Sequence, residues 1–269
     1  MAACDTALLL EVGYGALALF EQAHIPGAAY LDTGDIEQGP LWLKAPDEQL
    51  LALLLAYGIR HDSTVILYGR NNLAAARVAH LLLYAGVRDV RLLDGGFTAW
   101  LASGRACAAG PPPTLAGVAD FGAAFPVHPE YLSDTAGAST LLAQRDGVLA
   151  SIRTEAEHLG LMSGYSYIAA RGDIPGARWS RSGDDGDINS LSACQHAGGT
   201  MKPAASIEQQ WQADGITRDQ QVAFYCGTGW RASMAFYYAW LMGWPRISVY
   251  DGGWFAWSSE PETRGAAAP

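Results

Sequence analysis

One short segment, residues 225–231 (Y-C-G-T-G-W-R), combines a thiol, two glycines and an arginine directly after an apolar run at Val222–Tyr225. Two glycines let the backbone curl, so that successive N–H groups point at one spot, and the dipole of a following helix adds positive potential there. Such surroundings favour the thiolate, which is the nucleophilic form of cysteine. They would also stabilise an added outer sulfur that carries negative charge. We therefore predict that Cys226 is a catalytic nucleophile.

Loop size separates sulfur chemistry from phosphate chemistry. Four residues lie between Cys226 and Arg231, whereas cysteine-based phosphatases use a loop that is one residue longer. The smaller ring is too tight for a tetrahedral phosphate and better sized for a single sulfur atom. The spacing predicts sulfur transfer, and a phosphatase of the related type is the alternative. The predicted substrate-binding residues are the rest of the loop: Gly227, Thr228, Gly229, Trp230 and Arg231.

An internal repeat divides the chain. The segment that begins at Tyr57 matches the one that begins at Asp214, and the same offset of 157 residues carries D-G-G at 94–96 to D-G-G at 251–253. An I-P-G-A turn at 25–28 recurs at 174–177. Matches of this length indicate a duplicated domain.

Each copy alternates short apolar runs with long helix-compatible stretches. Apolar runs of this length are typical of strands that are buried on both faces of a parallel sheet. The pattern predicts an α/β fold of two tandem domains, each a parallel β-sheet flanked by α-helices. The predicted strands are Val65–Tyr68, Val90–Leu93, Val222–Tyr225 and Ile247–Tyr250, and the helices are Ala74–Tyr84 and Ala232–Met242.

A proline run at 111–113 marks the boundary between the copies, because it cannot continue a helix and tends to be extended. We predict domains at 5–105 and 130–263 with a linker at 106–129. The first copy has Gly69 where the second has Cys226, and Ala74 in place of Arg231. It is therefore predicted to be catalytically inactive.

Composition excludes several partners. With 17 basic and 27 acidic residues the formal net charge is −10, which disfavours nucleic acid and anionic membrane surfaces. The four cysteines have no short repeated spacing, so neither a metal site nor a disulfide framework is predicted. No export signal is seen at the start of the chain, which makes the cytoplasm the default location.

The longer motifs resemble those of tandem rhodanese-domain sulfurtransferases. The strings R-H-D-S-T-V-I-L-Y-G-R, S-G-Y-S-Y-I, Y-C-G-T-G-W-R-A-S and S-V-Y-D-G-G-W are most similar to the YnjE-like thiosulfate sulfurtransferases. Those relatives are periplasmic and carry an additional N-terminal rhodanese-like domain, so the resemblance aligns this chain with their second and third domains.

The resemblance implies a thiosulfate sulfurtransferase that works through a cysteine persulfide on Cys226, without a cofactor or a metal. The donor would be thiosulfate, and the acceptor cyanide, a thiol or a protein that takes up sulfur. A persulfide relay and a 3-mercaptopyruvate sulfurtransferase are the alternatives.

The resemblance is incomplete at the anion-binding positions. The two-domain rhodaneses place cationic residues in the loop where this chain has Gly227 and Thr228, and larger relatives place an arginine where it has Glu157. We predict that Arg231, with Arg178 or Arg153, holds the substrate anion instead.

Overall fold

A computed structural model describes residues 7–260, which form two compact units. The first unit comprises residues 7–38, 44–129 and 198–200, and the second comprises 39–43, 130–197 and 201–260. Residues of the predicted linker, 106–129, bond to the first unit: the Val118 N–H donates to the Leu55 carbonyl, and the His61 N–H donates to the Phe121 carbonyl.

The first unit contains a parallel sheet of four strands. Their order across the sheet is β2 (Ala29–Asp32), β1 (Leu8–Gly13), β5 (Thr64–Gly69) and β6 (Asp89–Leu92). Its core includes Leu10, Val65 and Leu67, none of which is exposed to solvent. Up to residue 102 the elements are β1 (Leu8–Gly13), α1 (Leu17–Gln22), β2 (Ala29–Asp32), a 3₁₀ turn (Thr33–Asp35), β3 (Glu37–Gln38), β4 (Leu43–Lys44), α2 (Asp47–Ala56), β5 (Thr64–Gly69), α3 (Asn72–Ala85), β6 (Asp89–Leu92) and α4 (Gly96–Ala102).

The second unit contains a parallel sheet of five strands. Their order across the sheet is β7 (Leu132–Ser133), β11 (Ile247–Tyr250), β10 (Gln221–Tyr225), β8 (Gly147–Ser151) and β9 (Arg178–Trp179). Its elements are a 3₁₀ turn (Pro129–Tyr131), β7 (Leu132–Ser133), α5 (Thr135–Leu142), β8 (Gly147–Ser151), α6 (Glu155–His158), β9 (Arg178–Trp179), α7 (Ala204–Ala213), β10 (Gln221–Tyr225), α8 (Trp230–Leu241), β11 (Ile247–Tyr250) and α9 (Gly253–Ser259).

Strand β10 is the central strand that leads into the cysteine loop. Its residues 222–225 are fully buried, as expected where successive side chains point to opposite faces of a covered sheet. The predicted α/β fold and its strands are confirmed to within about a residue, and α3 and α8 each begin two residues before their predicted start. Helices follow both β5 and β10, so the duplication is visible in the element order of the two units.

Candidate active site

Cys226 lies at the carboxyl end of β10, where ligands bind in open parallel sheets. Its side chain is buried, with 1% of the residue exposed, and Thr228 is 7% exposed. Helix α8 begins at Trp230, immediately after the loop 226–229, and the Gly229 carbonyl accepts the Ser233 N–H at 2.8 Å. The structure therefore places the thiol at the junction between a buried strand and a helix N-terminus, as the sequence predicted.

The D-G-G turn before α9 holds the cysteine loop from one side. The Trp254 and Phe255 N–H groups donate to the carbonyl oxygens of Cys226 and Gly227, both at 2.9 Å. Gly253 has φ +47°, and a Cβ there would lie 2.4 Å from the Cys226 carbonyl oxygen. Only glycine permits so close an approach. In the sequence this motif indicates only the repeat, and its contact with the cysteine loop was not predicted.

The loop amides are left available by this arrangement. With two loop carbonyls turned toward α9, the N–H groups of Gly227, Thr228 and Gly229 donate to no acceptor within residues 7–260. Backbone N–H groups next to a helix N-terminus form a favourable environment for negative charge. The loop can therefore stabilise an anion carried on the Cys226 sulfur.

Arg231 is committed to an internal ion pair. Its guanidinium donates to both carboxylate oxygens of Glu157, at 2.7 and 2.9 Å, and to the Tyr165 hydroxyl at 3.0 Å. Both ion-pair partners are buried. Burial alone would lower the pKa of Arg231, but Tyr165, Glu157 and Cys226 outweigh it and raise that pKa well above its ordinary value. Arg231 therefore borders the cysteine loop with its charge already balanced.

The pKa of Glu157 is lowered. Burial acts to raise it, yet the hydrogen bonds and charge of Arg231, followed by the charge of Arg153, act more strongly in the other direction. Thr154 caps the N-terminus of α6 in a capping box with Glu157, in which each side chain bonds the backbone of the other residue. Glu157 therefore remains ionised, fixed in place by both its helix and its two arginines.

Arg153 lies in the interior of the second unit. It lies 3.4 Å from Glu157 and 3.3 Å from Asp173, donates to the Gly172 carbonyl, and stacks over the Trp254 ring. Its surface is fully buried. These contacts make Arg153 a structural ion-pair partner, and its predicted role as a ligand for the substrate anion stays a prediction.

Arg178 points away from the loop. It is exposed, and its Nη1 donates to the carbonyl of Gly215, which precedes β10, whereas Cys226 follows the opposite end of that strand. The predicted pairing of Arg178 with the substrate anion therefore has no geometric support.

Tyr165 is a site residue that the sequence did not single out. A Cβ at Gly227 would lie 2.1 Å from the Tyr165 ring, so the ring packs directly on the loop backbone. Burial raises the pKa of the Tyr165 hydroxyl; the Arg231 charge opposes this shift, and the charges of Cys226 and Glu157 add to it. The hydroxyl therefore stays protonated beside Cys226. The only sequence signal was its place in the string S-G-Y-S-Y-I.

Asp173 joins the strands beneath the loop. It accepts hydrogen bonds from Ser151 at 2.7 Å, from His158 Nδ1 at 2.6 Å and from the Tyr225 hydroxyl. Burial acts to raise the pKa of Asp173, but His158, Arg153 and its other donors lower it. Because Tyr225 immediately precedes Cys226, this network fixes the strand end that carries the thiol. The same network gives His158 a carboxylate partner.

In the corresponding loop of the first unit, the Asn72 side chain forms hydrogen bonds with the backbone. The Gly69 N–H donates to Asn72 Oδ1 at 3.1 Å, and Asn72 Nδ2 donates to the Leu93 carbonyl. Gly96 approaches the Gly69 carbonyl as Gly253 approaches that of Cys226, with a Cβ distance of 2.6 Å. The scaffold is therefore shared, while the first copy lacks the thiol at this position and its Gly69 N–H is bonded by Asn72.

Comparison with known proteins identifies the family. Residues 10–103 and 136–260 match the model of the rhodanese-like domain. The chain belongs to the rhodanese family. It is 50% identical over 254 residues to the thiosulfate sulfurtransferase YnjE of Escherichia coli (strain K12), covering 94% of this chain and 58% of that protein. The crystal structure of YnjE is similar with a TM-score of 0.92 at 49% identity, covering 96% of this rhodanese and 62% of that chain.

Two further relatives have other names. This rhodanese is 30% identical to the sulfur carrier protein TtuD of Thermus thermophilus, over 93% of its length and 87% of that protein. A structure of the anaerobic ergothioneine biosynthesis enzyme from Chlorobium limicola, with trimethyl histidine bound, has a TM-score of 0.90 at 38% identity and covers 96% and 64% of the two chains. The chain thus spans less than two thirds of YnjE and of the Chlorobium enzyme.

Two kinds of feature are absent from residues 7–260. No group of three or more His, Cys, Asp or Glu side chains there could hold a metal ion. None of the helices described is long and apolar enough to cross a membrane.

We predict that Gly253→Ala destabilises the second unit by about 2–5 kcal/mol, because left-handed backbone strain adds to a clash with the Cys226 carbonyl. Gly243→Ala is the matched control, since Gly243 has φ +71° but no atom within 4 Å of the place that a Cβ would take. The control should cost only about 1–2 kcal/mol. Urea unfolding followed by tryptophan fluorescence measures both, because eight of the nine tryptophans belong to the second unit. Equal losses in the two variants would contradict the contact.

We predict that Glu157→Gln costs about 3–5 kcal/mol in the same measurement, because it leaves two buried arginines short of a counter-charge. Glu155→Gln, on the same short helix but exposed, should cost less than about 1 kcal/mol. A Glu157→Gln variant as stable as the Glu155→Gln variant would show that the buried pair is not needed.

Proposed function

We propose that this rhodanese is a thiosulfate sulfurtransferase that carries the transferred sulfur as a persulfide on Cys226 and passes it to cyanide or a thiol. The observation that carries the proposal is the loop from Cys226 to Arg231, with its carbonyls tied to α9 and three amides without an acceptor in the described chain. The name of YnjE, 50% identical, supports the same activity.

The proposed reaction has two displacements. The Cys226 thiolate attacks the outer sulfur of thiosulfate, the bond between the two thiosulfate sulfurs breaks, and sulfite leaves with the electron pair. Cyanide then attacks the outer sulfur of the persulfide, thiocyanate leaves, and the thiolate is restored. This is nucleophilic catalysis through a covalent intermediate, and atoms and electrons balance without an external oxidant.

The site residues divide between two tasks in this proposal. The N–H groups of Gly227, Thr228 and Gly229 stabilise the negative outer sulfur of the persulfide. Arg231, through Glu157 and Tyr165, fixes the wall of the loop. Trp230, which is partly exposed at the start of α8, is proposed to border the entrance to the site.

We expect cyanide-dependent formation of thiocyanate from thiosulfate, and a mass increase of about 32 Da on Cys226 before cyanide is added. Cys226→Ser should abolish both signals because the nucleophile is gone. Cys194→Ser is the matched control: Cys194 is also buried in the second unit, and burial raises its pKa to about 12. Thiocyanate formation by Cys226→Ser at the rate of the control would refute the proposal. Trimethyl histidine is included as a further acceptor, given the ligand of the Chlorobium enzyme.

A second candidate, persulfide relay between proteins, is favoured by the charges around Cys226. The buried cations Arg231 and Arg153 are balanced by the carboxylates Glu157 and Asp173. No positive charge of this cluster is left over for a dianion such as thiosulfate. The name of TtuD, a sulfur carrier protein, supports a protein as donor or acceptor.

We therefore expect cysteine persulfide, whose amino acid part has no net charge, to load Cys226 with a kcat/KM at least about tenfold above that of thiosulfate, since a repelled dianion loses on the order of 1.4 kcal/mol or more. 3-Mercaptopyruvate is the third donor in the comparison. Loading is followed by mass, with Cys226→Ser as the blank. A kcat/KM for thiosulfate equal to or above that of the persulfide would favour the first candidate over the relay.

A further inference from the structure

An exposed apolar patch lies on the loop that covers the cysteine site. Eleven large hydrophobic side chains are exposed among residues 7–260, and four of them fall within nine consecutive residues. Leu159 and Leu161 are 60% and 67% exposed, and Met162 and Tyr167 are 38% and 48% exposed. We call these four residues the 159–167 patch. Clustered exposed apolar side chains of this kind mark interaction sites more often than scattered ones do.

The loop that carries the patch packs against the cysteine loop. Tyr165, between its members, packs on Gly227, and a Cβ at Gly164 would lie 2.6 Å from the Glu157 carboxylate. At the start of the loop, Arg171 Nη1 donates to the Leu161 carbonyl at 3.3 Å. The same loop therefore contacts the active site with its inner side and presents apolar side chains to solvent.

Acidic residues border the patch. Glu155 begins the helix that leads into it, and an acidic turn at 184–187 (D-D-G-D) lies against that helix, because Asp185 accepts the Ala156 N–H at 2.8 Å. All four carboxylates, Glu155, Asp184, Asp185 and Asp187, are exposed, with Arg171 as a neighbouring cation. The local balance is negative, as is that of the whole chain.

We propose that the 159–167 patch and the acidic turn dock a protein that exchanges sulfur with Cys226, whose reactive cysteine lies on an apolar loop bordered by Lys or Arg. The inference rests on the proposed persulfide chemistry. The Cys226 thiolate would attack the outer sulfur of the partner's persulfide, the partner's S–S bond would break, and the partner's thiolate would leave. The reverse displacement returns the sulfur, so no oxidant is consumed. Charge complementarity would speed the encounter, and the apolar contact would slow dissociation.

The test uses two synthetic peptides that carry a persulfidated cysteine between leucines, one bordered by lysines and one by glutamates. Transfer of about 32 Da to Cys226 is timed by mass spectrometry. For the lysine peptide we expect transfer about tenfold faster than for the glutamate peptide. Leu161→Ser with Met162→Ser, and separately Asp184→Lys with Asp187→Lys, should each remove most of that advantage. Leu241→Ser, at the opposite end of α8 from the loop and 52% exposed, is the matched control and should retain it.

Thiosulfate–cyanide turnover and loading by cysteine persulfide separate this inference from the proposed function. If Cys226 is not loaded by any donor, the persulfide chemistry fails. If small donors load it normally while both peptides react equally fast, the docking surface is refuted. Sedimentation velocity gives a further outcome: a dimer that the Leu161→Ser, Met162→Ser variant dissociates would assign the patch to a second copy of the chain and overturn the proposal.

Discussion

Two backbone hydrogen bonds, from the first turn of α9 to the carbonyls of Cys226 and Gly227, determine how the cysteine loop is presented. A loop of four residues between a buried strand and a helix has few ways to satisfy its polar groups. Once the carbonyls are turned outward, the amides must face the thiol or solvent. Gly253 makes this possible because any side chain there would meet the Cys226 carbonyl. The first unit repeats the contact with Gly96 and Gly69, so the constraint belongs to the duplicated scaffold and not to the reactive site alone.

Charge balance is the second constraint on the site. Two buried arginines without partners would be costly, and Glu157 and Asp173 balance their charges, so this cluster has no net positive charge. In the proposed function the negative outer sulfur of the persulfide would therefore be stabilised by backbone amides and the dipole of α8. Such dipoles are fixed and carry no net charge, so they stabilise a single sulfur at close range better than they attract a free dianion from solution.

The fold and the position of Cys226 at the junction of a strand and a helix could be predicted from sequence because their signals are local. Buried runs, D-G-G turns and the spacing from Cys226 to Arg231 all lie within short windows, and the repeat shows the runs and the turns twice. The pairing of Arg231 with Glu157 could not be predicted, since 74 residues separate them. The contact of Tyr165 with Gly227 likewise depends on how a long loop folds back over the strand end. The counter-ions of Arg153 could not be predicted for the same reason: its charge is visible in the sequence, while its partners are not.

Asn72 makes the first unit differ from the second by more than the absence of a cysteine. Its amide oxygen occupies the backbone N–H of Gly69, the position equivalent to Cys226, and its nitrogen ties the loop to Leu93. A cysteine introduced at residue 69 would therefore lie in a loop whose backbone N–H at that position already donates to Asn72. Building a reactive cysteine into this copy would therefore require removal of the Asn72 side chain as well as the new thiol.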